Sequence, residues 1–358
     1  MISMRKLTVR LSGILLLMLG SGCSTASQTT IGTIAVEDPA FFDLIPRGAG
    51  LEVVAEGFEW SEGPAWSPDG YLLFSDIPKN TIYKWAEGEG LSVYLRPAGH
   101  AGSEPPGEEL GTNGLAFDAD GSVIAADHGN RGISRIDGDL FTKTMLASDF
   151  EGKRLNSPND LVFNKAGDIY FTDPPYGLKG LNNSPLKELD FNGVYLLRRD
   201  GSLSLLTRDL TFPNGIALSP DENTLYVAVS DGSRPIIMAY AVQSDGTVDQ
   251  GRIFFDGSAL TAQGKRGAFD GLTVDVGGNL FATGPGGVLV ITPEGKLLGT
   301  LETGQATSNV TFGGPDLSTL YITADMYLLR IPTNTRGIRS SNLRGSSGTN
   351  STAYSPQQ

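Results

Sequence analysis

Six times along the chain the same short pattern returns, and no other feature limits the fold so strongly. Each copy opens on a polar residue and passes through small or apolar positions. It then turns on residues rich in Asp and Gly and ends in an apolar run. The copies are EGPAWSPDGYLLFSD from Glu62, NGLAFDADGSVIAAD from Asn113, NDLVFNKAGDIYFTD from Asn159, NGIALSPDENTLYVAVSD from Asn214, DGLTVDVGGNLFATG from Asp270 and SNVTFGGPDLSTLYITAD from Ser308. Their first residues are separated by 51, 46, 55, 56 and 38 positions. A period of about 40–50 residues made only of strand-like runs is the mark of propeller blades, each of about four strands.

Local chemistry agrees. Pro-Asp-Gly at 68–70 and Pro-Asp-Glu-Asn at 220–223 suit hairpin turns. The runs beside them, such as DIYFTD and TLYVAV, are rich in aromatic and β-branched residues, which pack well on a pleated surface. A further strand-like run follows each of the first five hairpins: TIYKW, GISRI, GVYLL, IIMAYAV and GVLVI. The expected fold is therefore all-β, a six-bladed propeller over residues 51–331. Leu51–Ala55 (LEVVA) precedes the first repeat and is the natural strand to close the ring by joining residues 309–331.

The ends of the chain read differently. Residues 1–22 carry Arg5, Lys6 and Arg10, then nine apolar-rich positions at 11–19, then Gly20, Ser21 and Gly22. Nine positions are too few to span a bilayer, which takes about 20, but they suit a cleaved export signal. Cys23, the single cysteine, follows directly. This is the expected site of lipidation, which would make the protein an exported lipoprotein anchored to a membrane and facing the periplasm or the cell exterior. Residues 23–50 read as a tether, and the polar residues 332–358 as a disordered tail. With one cysteine there is neither a disulfide framework nor a thiolate metal site. The net charge is -13, and removing the three positive charges of the signal leaves -16. Such a chain repels phosphate backbones, so nucleic acid is excluded as an expected partner.

Aligning the six repeats puts Glu62, Asn113, Asn159, Asn214, Asp270 and Ser308 at one equivalent place. In a propeller that place surrounds the central axis. Six side-chain oxygens, two of them from carboxylates, describe a site for a hard cation. Gly63, Gly114, Gly215 and Gly271 follow four of the six, so turn chemistry accounts for part of the pattern. It does not account for Glu at the first position, because Glu is a poor turn former.

At these residues the chain resembles the regucalcin/gluconolactonase family, also called the senescence-marker-protein family. The resemblance rests on EGPAW at 62–66, SPND at 157–160, FTDPPYG at 171–177, FPNGIALSPDE at 212–222 and FDGLTVD at 269–275, and it covers about residues 50–331. It implies a catalytic divalent cation on the axis held by Glu62, Asn214 and Asp270, with Asn159 as a further ligand or substrate contact. Ca²⁺ is the expected ion, with Zn²⁺, Mg²⁺ and Mn²⁺ as alternatives. It implies hydrolysis of a sugar lactone, with Asp270 as general base. Some members place an Arg two residues before the Asn of SPND to grip substrate; here that place is Ser157.

Asn113, His128, Asp173 and Tyr176 are the expected substrate contacts, with Asp173 and His128 ranked behind Asp270 as bases. The loops at 97–111 and 177–192 are the longest insertions and are expected to overhang the site. Two other readings stand beside this one. The first is a non-catalytic propeller lipoprotein that acts as a binding platform. The second is a related arylesterase or phosphotriesterase. No G-x-S-x-G nucleophile elbow occurs.

Overall fold

The computed structural model describes residues 29–102, 109–138 and 141–338. The export signal, Cys23 and residues 339–358 lie outside the described residues. Six antiparallel sheets follow one another around an axis, each opening on one of the sequence repeats. The inner strands are Ser61–Trp66, Thr112–Phe117, Leu161–Phe163, Pro213–Leu218, Leu272–Val274 and Thr307–Gly313. Each pairs with the strand after its hairpin, and that strand with the next one out. The all-β propeller read from the repeats is the fold observed.

The ring closes as expected. Leu51–Glu56 pairs antiparallel with Tyr327–Pro332 and supplies the outer part of the last blade. The Arg330 guanidinium holds this seam with two parallel bonds of 2.9 Å to Glu52 Oε1 and Oε2. A planar fork on a carboxylate fixes direction as well as distance.

The residues expected as a tether are not all tether. Thr33–Val36 pairs with Leu297–Glu302 as a fifth strand on blade five, and Thr30–Ile31 pairs with Leu51–Glu56 on blade six. Between them lies the short helix Phe41–Leu44. Phe41 and Ile45 are fully buried in the apolar cluster between blades five and six. The apolar residues hidden in a polar stretch, Ile31, Ile34, Phe41 and Ile45, are what fold it down. At the other end Thr335 Oγ1 bonds Asp275 Oδ2 at 2.8 Å, and Gly337 bridges Asp275. The domain therefore extends past residue 332 on that side too.

The core is shared out between blades. Six apolar clusters occur among the described residues, and each joins two neighbouring blades. Phe281 of blade five, for example, meets Phe312 of blade six edge-to-face at 5.1 Å. No blade has a core of its own, so the ring is stable only when complete. Phe41→Ala should lower stability by about 3–5 kcal/mol, the usual loss for a buried Phe, read as a shift in the urea midpoint. A residue in a mere tether would leave the midpoint where it was.

Candidate functional site

The six inner strands begin at one end of the axial channel, and a circuit of hydrogen bonds joins them there. Ser75 Oγ donates to Asn113 O at 2.8 Å, and Gly114 N to Asn159 O at 2.8 Å. Thr172 Oγ1 donates to Asn214 O at 2.6 Å, and Gly215 N to Asp270 O at 3.1 Å. Gly271 N donates to Ser308 O at 2.7 Å, and Ser308 Oγ to Ser61 O at 2.6 Å. Each bond crosses from one blade to the next. The glycine after the opening residue follows from this closeness. A Cβ on Gly63, whose φ is +50°, would lie 2.1 Å from Asn113 O. Close approach, rather than a turn, demands that glycine.

Blade six departs from the expected ring. The Ser308 hydroxyl is taken up by Ser61 O and by the Thr323 backbone and side chain. The next residue, Asn309, stands where four other blades carry glycine and blade three carries Asp160, and it turns inward instead. Asn309 Nδ2 donates to Glu62 Oε2 at 3.2 Å. Asp160 occupies the matching place in blade three and is hydrogen-bonded to the same Asn309 side chain. Where four blades carry glycine, these two carry side chains that fill the space the glycines leave. Asp160 Oδ1 would lie 2.7 Å from a Cβ on Gly114, and Asn309 Oδ1 2.0 Å from one on Gly271. Sequence comparison named the ring but missed this pair, although both stand one position after a ring residue.

Glu62, Asp160 and Asp270 are crowded at the ring, the first two buried and Asp270 half-buried. Burial pushes the Glu62 carboxyl up to about 8, helped by the negative charge of Asp160. Burial pushes Asp160 up to about 7. Asp270 is raised well above the usual carboxylate range by burial, then by the charges of Glu62 and Asp160. Such a group of acids favours a positive charge among them.

The donors fit a hard cation. Asn113 Oδ1, Asn214 Oδ1 and Asp270 Oδ1 are buried with no hydrogen-bond partner. Leaving such an oxygen unpaired costs about 1–3 kcal/mol, so three at one site point to a missing partner. The set is oxygen-only: among the described residues no group of three or more His, Cys, Asp or Glu could hold a metal ion. Amides must supply much of it. Asn159, which is buried, makes no side-chain hydrogen bond to another described residue and remains available.

The other expected residues separate into two groups. His128 and Tyr176 stand at the ring. His128 Nδ1 bonds Glu109 Oε2 at 2.5 Å, and Nε2 faces Asn113 Nδ2 at 3.5 Å. The carboxylate can only accept, so Nδ1 carries the proton and Nε2 is the acceptor. Tyr176 stacks on Phe212 with centroids 5.6 Å apart and feels the charge of Asp270. Glu109, which also acts on the axial acids, carried no signal in the sequence beyond its place in a long loop.

Asp173 does not join them. It is fully buried, accepts from Asn156 N at 2.8 Å, and lies in the field of Arg131. It holds the segment before Asn159 in place through Asn156. Ser157 likewise bonds Pro174 O and Gly177 N, and so pins the FTDPPYG loop. Only the start of the 177–192 loop reaches the site. Its body lines a groove of about 500 Å³ with Arg208–Thr211, away from the ring residues. The 97–111 loop includes residues 103–108, which lie outside the described residues. On the far side of the ring a mostly apolar basin of about 580 Å³ opens between Trp66, Phe117, Phe163 and Phe312.

The family described as SMP-30/Gluconolactonase/LRE-like region matches residues 60–325. A gluconolactonase of Zymomonas mobilis is 41% identical over 321 residues, 86% of this chain and 88% of that one. A solved gluconolactonase of Xanthomonas campestris superposes with a TM-score of 0.74 at 33% identity, covering 86% of this chain and 98% of that one. A calcium-binding regucalcin of Agrobacterium tumefaciens shares the fold, with a TM-score of 0.64 at 20% identity over 80% of this chain and 95% of that one.

The raised carboxyls carry a sign that can be tested. Between about 4.5 and 8, Glu62 ionises in the unfolded chain while staying protonated in the cation-free fold. The native state then holds the extra proton, so stability falls as pH rises through that window. In EDTA, the melting temperature of Glu62→Gln should decline less between pH 5 and pH 8.5 than that of the wild type. Parallel declines would contradict the assignment.

Proposed function

The chain belongs to the SMP-30/gluconolactonase/LRE-like family and is a lactone hydrolase; from that premise we propose that it opens a sugar lactone at the axial ring, using a divalent cation and a carboxylate base. The observation that carries this reading is the pair of buried, unpartnered oxygens on Asn214 and Asp270, with that of Asn113 beside them for substrate. Glu62, Asn159, Asn214 and Asp270 would hold the ion, Ca²⁺ by the oxygen-only donor set, which polarises the ester carbonyl as a Lewis acid.

The chain's own residues supply the rest. Asp270 accepts a proton from water as the oxygen of that water bonds to the lactone carbonyl carbon. The bond from that carbon to the ring oxygen then breaks, and the proton passes to the departing oxygen. The product is an open-chain hydroxy acid. Burial raises Asp270's affinity for a proton, and a cation bound beside it would lower that affinity again. Asn113 offers Oδ1 to a substrate hydroxyl, and His128 with Glu109 holds that amide by its nitrogen. Tyr176 and Phe212 form an aromatic wall beside Asp270. Asp160 and Asn309 close the floor beneath Glu62.

Glucono-δ-lactone hydrolysis by the purified protein should vanish in EDTA and return with Ca²⁺. Asp270→Asn should lower kcat by about 10²–10⁴-fold, the usual worth of a positioned base. Turnover that survives both EDTA and Asp270→Asn would exclude this mechanism. A folded wild type inactive on every lactone would favour the binding-platform reading. Activity on phosphotriesters or aryl esters alone would favour the related hydrolases.

A further inference from the structure

An axial asparagine can meet a cation only through its oxygen, so which way its amide faces decides whether it is a ligand at all. In Asn214 the NH₂ end is held by two acceptors, the Asp270 carboxylate and a residue that no motif singled out. Asn214 Nδ2 lies 2.9 Å from Ser230 Oγ. The same Ser230 hydroxyl bonds the backbone carbonyl of Phe269. That carbonyl can only accept, and a serine hydroxyl has a single proton. Ser230 therefore donates to Phe269 O and must accept from Asn214. Only the NH₂ end of the amide can face it, and Oδ1 is turned the other way, where it is buried and unpartnered. A flipped amide would bring two acceptors together, or would pull the serine proton away and leave Phe269 O unpaired. Either change is unfavourable.

Ser230 is well placed for the task. It follows the second strand of blade four, Thr224–Val229, and its own N–H is fixed to Phe212 O at 2.9 Å. Phe269 immediately precedes Asp270. One hydroxyl thus links the side chain of Asn214 to the backbone just before Asp270. Its backbone oxygen also accepts from Tyr176 Oη at 3.4 Å.

We propose that Ser230 is a positioning residue that holds Asn214 with its oxygen toward the axis, so that the ring is a cation site before any cation arrives. This rests on the axial-cation reading above. It is a claim about orientation, and a carboxylate, having two equivalent oxygens, has no orientation to lose.

The test is calorimetric titration of Ca²⁺ into the full-length protein freed of metal. Ser230→Ala should weaken binding about ten- to a hundred-fold, as loss of a residue that orients a metal ligand does. The melting temperature without metal should fall, since Phe269 O loses its donor, but the metal-free variant should still unfold in one cooperative transition. Ser230→Thr, which keeps the hydroxyl, should retain the affinity. In an Asn214→Asp background, Ser230→Ala should change affinity by no more than about twofold, the ordinary scatter of independent sites. Ser230→Cys gives the same comparison with a weaker donor if the alanine variant does not fold. Wild-type affinity in Ser230→Ala would overturn the proposal, and so would an equal loss in both backgrounds. A wild type that binds no divalent cation would overturn the axial reading itself, which separates the two failures.

Discussion

The circuit of hydrogen bonds around the axis is what the rest of the structure depends on. Each junction joins a donor on one blade to a backbone carbonyl at the inner edge of the next, from Ser75 and Asn113 round to Ser308 and Ser61. A propeller has no central core to hold its blades in register, and its apolar contacts are spread over the faces between neighbours. The circuit fixes the register where the strands are closest. It also engages the carbonyls of Asn113, Asn159, Asn214, Asp270 and Ser308. What remains free at the ring is side-chain chemistry. The stability of the ring and the availability of its ligands thus have one origin.

The same closeness explains the composition of the site. Strands this near leave no room for a Cβ after most ring residues, hence Gly63, Gly114, Gly215 and Gly271. The space beneath them is taken by Asp160 and Asn309, which bring a third acid near Glu62 and Asp270. Unpaired buried charge is expensive, and without a cation the acids respond by holding protons. The fold has concentrated negative charge where only a positive ligand relieves it. The neutral amides of Asn113, Asn159 and Asn214 add oxygen donors without adding to that charge.

Much of this was legible in the sequence, for a physical reason. Blades are local units, so hairpin turns, strand runs and their spacing recur in register and can be laid over one another. That comparison gave the six blades, the closing strand at Leu51 and five of the ring residues. It failed where a contact depends on a neighbour far along the chain. Phe41 and Ile45 looked like parts of a tether because their partners, such as Phe281 and Leu301, lie some 250 residues away. Ser308 looked like a ligand because the groups that take up its hydroxyl, Ser61 O and Thr323, lie elsewhere in the chain and do not show in an alignment of starts. Asp173 lies at a strand end as ligands often do, but its partner Asn156 is set by a loop. Ser230 and Glu109 act through other residues and leave no pattern at blade period.

The central claim is that the axial oxygens are a cation site. The most direct measurement is an anomalous difference map from crystals of the protein soaked in Mn²⁺. One strong peak is expected on the axis, about 2.0–2.6 Å from Glu62, Asn214 and Asp270 oxygens, the range for hard cations on oxygen ligands. An axis without a peak, with Asn214 Oδ1 and Asp270 Oδ1 bonded to ordered water instead, would contradict it.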